Sequence, residues 1–190
     1  MDQYAELPDE ALFVICVKDI QAFELLVRRY EKKLTGYIRK RSHASSEDIQ
    51  DILQNVFLKV YKNMYDFDTS LSFSSWVYRI THNEMIDWYR REKVRATLSL
   101  DDDEGLLEKV TEEKGIYEHV GRAEQKELLQ KVLSELPSIY QDIFSLRYFE
   151  DKRYEEIADI LTIPPGTVAT YISRGKKKLQ EKLQSYGYTR

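Results

Sequence analysis

One cysteine, four prolines, seven glycines and three histidines are all that this 190-residue chain holds of the residues that crosslink or punctuate a fold. A single thiol, Cys16, excludes an intramolecular disulfide framework and any CxxC zinc site. Scattered histidines at 43, 82 and 119 offer no metal constellation, so no metal or other cofactor is expected. So few glycines and prolines argue against an all-β fold with its many tight turns. Long apolar runs are missing too. The longest, Ala11 to Val17, spans seven residues, where a membrane helix needs about 20. The first ten residues show neither a basic n-region nor an apolar h-region, so a cytoplasmic protein without membrane insertion is expected.

What is present is apolar periodicity and unevenly placed charge. Hydrophobic residues at 42% exclude a mostly disordered chain, and the length allows one or two small domains. The net charge is −4, which argues against a general polyanion binder. Between Asp101 and Glu118, however, eight acids meet two bases, a net of −6, so the rest of the chain carries +2. Basic clusters at Arg28 to Arg41, Arg90 to Arg95 and Arg174 to Lys182 flank this acidic middle. Each cluster alone reads equally well as a solvated helix face. Together they favour a chain that touches nucleic acid at both ends.

Helical spacing runs through both ends. Pro8 with Asp9 and Glu10 suits a helix start. Phe23, Leu26, Val27, Tyr30, Leu34, Tyr37 and Ile38 form one stripe of a second helix. Ser45 and Asp48 give a capping signal before a third, with Ile49, Ile52, Leu53, Val56 and Val60 on one face. A fourth runs from about Ser74 to Lys93. From Arg95 to about Gly121 the period is lost, which reads as a linker. Periodicity resumes at Leu128, Leu129, Val132 and Leu136, and Pro137 opens a further helix. The fold class is therefore all-α, with helices on both sides of an acidic linker, as one compact domain or as two small helical ones.

The segment YEEIADILTIPPGTVATYISRGKKKL has helix-turn-helix spacing. Ala158 is small where two helices would cross, and Val168 can pack back. Ile157, Leu161, Ile163 and Ile172 complete a small core. Pro164 or Pro165 can start the second helix, because proline has no N–H to lose there. That helix exposes Thr167, Thr170, Ser173, Arg174 and Lys177, whose hydroxyls and cations suit base edges and phosphates. A plain helical hairpin would give the same spacing.

Two N-terminal features are less usual. Asp51, Gln54, Phe57 and Tyr61 lie within three turns of one helix, with polar groups on or near its apolar stripe. Such a face either meets a partner or carries a surface hydrogen-bond pair. The stretch from Phe67 to Arg91 interleaves Phe67, Phe73, Trp76, Trp88 and Tyr89 with Arg79, Asn83, Arg90 and Arg91. Aromatics beside arginines can stack unpaired bases and hold a strand. Of these, Trp76 reads as core, and Phe73 can be core too.

The ordered set DILQNVFLKVY, FSSWVYRITHNEMIDWYRR, ELP, YEEIADIL and PPGTV resembles the extracytoplasmic-function sigma factors of bacterial RNA polymerase, across about residues 22 to 183. That resemblance implies two small helical domains, at 1–95 and 122–190, joined by an acidic flexible linker at 96–121, in a non-catalytic protein that binds core RNA polymerase, directs it to promoters and promotes melting. It implies that Asp51, Gln54, Phe57 and Tyr61 meet the polymerase clamp helices. Phe67, Phe73, Arg79, Asn83, Arg90 and Arg91 would meet the −10 element, and Thr167, Thr170, Ser173, Arg174 and Lys177 the −35 duplex. The linker would thread the polymerase cleft, and an anti-sigma protein would regulate the chain. The sequence also departs from the family: Phe67 to Ser72 is short on basic residues, so the family's −10 base preference does not carry over. The recognition helix carries Ala169, Tyr171 and Ser173 where basic residues are common, and Thr162 stands at a turn that favours positive φ.

Two rivals come from other classes. A stand-alone helix-turn-helix regulator would need a dimer surface, and no heptad supplies one. A magnesium-dependent nucleic-acid enzyme could use Asp51, Asp66, Asp68 and Asp87, yet their spacing does not bring them together.

Overall fold

A computed structural model describes residues 4–16, 18–65, 67–68, 71–99 and 122–187. Eight α-helices follow in order: α1 (Asp9–Cys16), α2 (Ile20–Arg41), α3 (Ser46–Lys62), α4 (Phe73–Ser99), α5 (Arg122–Ser134), α6 (Ser138–Phe144), α7 (Tyr154–Leu161) and α8 (Pro165–Ser185). A π-helical turn, Ser145–Phe149, extends α6. No strand occurs among the described residues. Helix α4 continues to Ser99, four residues into the stretch read as linker. The acidic run itself lies outside the described residues.

Local chemistry sets the helix starts. Asp19 caps α2 by accepting the Gln21 N–H at 2.9 Å. Ser45 and Asp48 form the expected capping box on α3: Asp48 N–H donates to Ser45 Oγ at 3.1 Å, and Ser45 N–H to Asp48 Oδ2 at 3.2 Å. The serine hydroxyl also donates to this carboxylate, which holds Asp48 below its usual pKa. Pro165 occupies the first turn of α8. Between α7 and α8, Thr162 has φ 55° and ψ 48°, the left-handed conformation anticipated for that turn.

The α3 stripe is buried as its spacing predicts: Ile49, Ile52, Leu53, Val56 and Val60 all face inward. In α2, Leu26, Tyr30, Leu34, Tyr37 and Ile38 are buried, while Phe23 and Val27 sit at the margin. The C-terminal helices pack as expected through Ile157, Ala158, Val168 and Ile172, with Leu161 and Ile163 at the edge. Gly175 lets α6 cross α8 closely: a Cβ there would stand 2.7 Å from the Phe144 ring and 2.9 Å from that of Tyr140.

The two helical units are in contact. Ile143, Leu146, Ile157 and Ile160 join the same apolar cluster as the core of α1 to α4. Arg41, at the end of α2, reaches Asp142 at 2.6 Å and Gln141 at 2.7 Å. Tyr78 of α4 donates to Glu150 at 2.6 Å, and Lys40 approaches the same carboxylate at 3.3 Å. Lys152 donates to Ser74 Oγ at 2.5 Å and lies over the Tyr78 ring. Its burial lowers the ammonium pKa. Burial and the Glu150 hydrogen bond both raise that of Tyr78.

Candidate nucleic-acid interface

Three exposed faces carry the residues singled out from the sequence. The first is on α3. Asp51, Gln54 and Tyr61 lie on its outer side, with Tyr61 half exposed and its ring edge-on to Phe23 at 5.6 Å. Phe57 turns away from them and packs partly against the core. Leu58, 47% exposed, takes its place on the outer stripe, and Tyr65, 80% exposed, stands just beyond the helix end. Positions 51, 54, 58, 61 and 65 follow the 3–4 spacing of one helix face. That spacing could have revealed Leu58 and Tyr65, but an apolar residue two positions from a core valine reads as core by type alone. Lys59 pairs with the buried Glu84 of α4, which fixes α3 against α4.

The second face is on α4. Its inner side packs on α2 and α3 through Val77, Thr81 and Met85. A flank carries Ser74, Tyr78 and His82 toward α2 and the C-terminal helices. Tyr37 Oη lies 3.2 Å from His82 Nδ1, and burial lowers the histidine pKa. About a third of a turn round from that flank, Arg79, Asn83 and Arg90 share one outward stripe at 4- and 7-residue spacing. Asn83 and Arg90 are exposed, Arg79 half-buried. Arg90 pairs with Asp87 at 3.3 Å, a weak surface contact. Arg91 is exposed but points off the stripe, a quarter-turn or more round the helix.

Phe67 and Phe73 are not on this surface. Phe73 is 2% exposed and Phe67 9%. Phe13 of α1 sits between them, its centroid 5.1 Å from Phe67 and 4.9 Å from Phe73, and Trp76 closes the cluster at 5.5 Å. In this arrangement neither ring offers a free face for a base. The physical reason is that α1 delivers a phenylalanine into the same space, which no local pattern around residue 70 discloses. Described residues of the preceding loop that do reach solvent are Asp68 and Leu71.

The third face is on α8. Thr170, Ser173, Arg174 and Lys177 project outward together, with Thr167 half-buried at their flank. Thr170 Oγ1 donates to the Gly166 carbonyl at 2.9 Å, so its lone pairs are free to accept. Arg174 has no ion-pair partner among the described residues. Lys177 lies 3.9 Å from Glu181. Neighbouring cations are engaged at home: Lys176 lies 6.0 Å from the Tyr148 ring, and Lys178 6.0 Å from Tyr140. Such a hydroxyl-and-cation face, on a helix whose other side is sealed to α6 and α7, can lie in a DNA groove.

The carboxylates weighed for metal chemistry are dispersed, with Asp51 on α3, Asp68 before α4 and Asp87 on α4; Asp66 lies outside the described residues. Among the described residues no three of His, Cys, Asp and Glu gather as metal ligands. None of the described helices is long and apolar enough to cross a membrane.

Comparison with known proteins agrees with both ends of the chain. The family "Sigma-70 region 2" matches residues 26–95, and "Sigma-70, region 4" matches residues 126–179. The ECF RNA polymerase sigma factor SigW of Bacillus subtilis is 32% identical over 171 residues, covering 87% of this chain and 91% of its own. The ECF RNA polymerase sigma-E factor of Haemophilus influenzae is 29% identical over 190 residues, 94% of this chain and 97% of its own. Among solved structures, CnrH in complex with the cytosolic domain of CnrY superimposes with a TM-score of 0.67 at 22% identity, over 93% of this chain and 97% of its own. The sigma factor RpoE of Bartonella quintana, in complex with the anti-sigma factor NepR, gives 0.64 at 20% identity, over 85% and 96%. These two likenesses bear on the fold.

Proposed function

The chain belongs to the ECF RNA polymerase sigma factors, and from that membership we propose that it binds core RNA polymerase, directs it to its promoters and promotes their melting, with the labour divided among the three faces. The unit at 1–95 binds polymerase through α3 and the −10 strand through α4. The unit at 122–190 reads the −35 duplex through α8, and the intervening segment threads the polymerase cleft. An anti-sigma protein holds the chain in check, as NepR is found on its relative. The chain has no catalytic step of its own and acts in the cytoplasm beside its polymerase.

The observation that carries this reading is the α3 stripe. Asp51, Gln54, Leu58, Tyr61 and Tyr65 put two tyrosines and a leucine in solvent beside an acid and an amide. A regulator that only reads an operator has no use for this surface, whereas a polymerase-binding subunit does. On α4, Arg79 and Arg90 suit strand phosphates and Asn83 suits a base edge. Extruding a base costs a few kcal/mol, which contacts along this stripe can offset. Phe67 and Phe73 act from within, as core packed on Phe13 and Trp76.

In vitro transcription with purified core polymerase and a genomic promoter library tests the reading. Start sites that need both components, and that share two sequence elements, are expected. Specific duplex binding by the chain alone, with no such transcripts, would turn the reading to an independent regulator. On a promoter found this way, Arg174→Ala should weaken binding by roughly 1–3 kcal/mol and relax preference at one −35 position. Unchanged sensitivity to −35 mutations in that variant would remove Arg174 from base readout.

A further inference from the structure

The first N–H groups of any helix lack partners within it. In α4, Ser72 accepts the Ser75 N–H on its Oγ at 3.3 Å, half of a capping box. Position 75 is serine, so the usual acidic or amide partner three residues on is missing. The carboxylate comes instead from α1. Glu10 Oε1 accepts the Phe73 N–H at 3.0 Å, across 63 residues of sequence. An anionic acceptor here is also favoured by the helix dipole.

Helix α1 is firmly held for this task. Asp9 receives Arg29 at 2.6 Å and the Tyr30 hydroxyl at 2.5 Å. Arg29 also donates to the carbonyls of Leu7 and Ala5. One turn further on, Phe13 touches Phe67, where the loop begins, and Phe73, where it ends. Phe67 and Phe73 are thus both held by one short helix, itself bolted to α2.

We propose that Glu10 is a positioning residue for −10 recognition: by capping α4 from α1 it fixes the first turn of the helix that presents Arg79 and Asn83 to the strand, with the exposed Leu71 just before it. This inference rests on the promoter-melting role above. It assigns a function to α1, which has no residue on the three exposed faces.

The test uses holoenzyme assembled with the full chain. The probe is a fluorescent single strand carrying the −10 element of a promoter recovered by transcription. Glu10→Ala should bind that strand roughly three- to thirtyfold more weakly, the size of a lost helix cap. Its affinity for core polymerase should stay that of the wild type. Glu10→Gln keeps an acceptor oxygen and should recover most of the strand affinity, whereas Glu10→Met, which fills similar space without an acceptor, should not. Amide hydrogen exchange should accelerate at 71–75 in the alanine variant and not at α8. Unchanged strand binding by Glu10→Ala overturns the inference. So does a parallel loss of polymerase affinity, which marks a general folding defect, and so does a glutamine variant as weak as the alanine one. A wild-type chain with no strand affinity in holoenzyme overturns the functional reading and the inference with it, whereas the other outcomes overturn the inference alone.

Discussion

Thr162 holds a conformation that a β-branched residue rarely adopts, at φ 55° and ψ 48°. Its Cβ crowds the neighbouring carbonyl there, at about 1–2 kcal/mol. Glycine removes that strain and loses some backbone entropy in exchange. Thr162→Gly should therefore raise the stability of the chain by roughly 1 kcal/mol or a little less, seen as a higher denaturant midpoint at an unchanged slope. A lower midpoint would mean that the threonine side chain contributes a contact the turn needs. This position was legible from the sequence, because the spacing of a helix-turn-helix demands a reversal at that point whatever residue stands there. Gly175 was not legible. Nothing in a stretch of lysines announces that the rings of Phe144 and Tyr140 leave no room there for a Cβ.

At the scale of elements, helix positions and inward faces followed from periodicity, since a stripe of branched and aromatic residues can be buried in only one way. What did not follow was the direction of aromatic residues in segments rich in both rings and charges. Phe67 and Phe73 carry the same local pattern as a base-stacking pair, and only the arrival of Phe13 from α1 decides that they are core. The same ambiguity hid Leu58, which reads as core and faces solvent at 47%. Its exposure gives a prediction for α3. Leu58→Ala and Tyr61→Ala should each weaken core polymerase binding by about 1–2 kcal/mol, the scale of a central interface side chain. Their thermal midpoints should barely move, because surface truncations away from the core cost little. Titration of labelled polymerase with each variant checks this; wild-type affinity in both would take the polymerase interface off α3.

Across the whole molecule, the seam between the two units is apolar at its centre and polar and titratable at its rim. His82 lies beside Tyr37, with Arg41, Asp142 and Glu150 nearby. Burial holds its pKa below the ordinary 6.5, and Arg41 adds to this against the opposing pull of Asp142. The folded chain therefore keeps His82 neutral where the unfolded chain takes up a proton. Stability is full above about pH 6.5 and falls as the pH drops from there toward the depressed folded value. Melting curves from pH 7.5 to 5.5 should show this decline, and His82→Gln should flatten it. An equal slope in the variant would place the titration elsewhere.

The same seam bears on how the chain reaches DNA. A packed chain of this length has a radius of gyration near 16 Å, hence a diameter of about 40 Å. Elements named −35 and −10 lie about 25 base pairs apart, roughly 85 Å of duplex. With α7 seated on α4, the α8 face and the α4 stripe cannot span that distance, so if they read the two elements as proposed, the seam must open. Arg41 and Asp142 are each 11% exposed in their side chains and meet at 2.6 Å. Removing one partner strands the other, at about 3–5 kcal/mol for a fully buried pair and less at this partly wetted rim. Arg41→Ala should therefore shift the free chain toward the open form. Small-angle scattering should report a larger radius of gyration, while the helical content stays that of the wild type. Polymerase should then bind faster, since less of the population must open first. A variant as compact as the wild type would show that the apolar contacts of Ile143, Leu146, Ile157 and Ile160 hold the two units together without the ion pair.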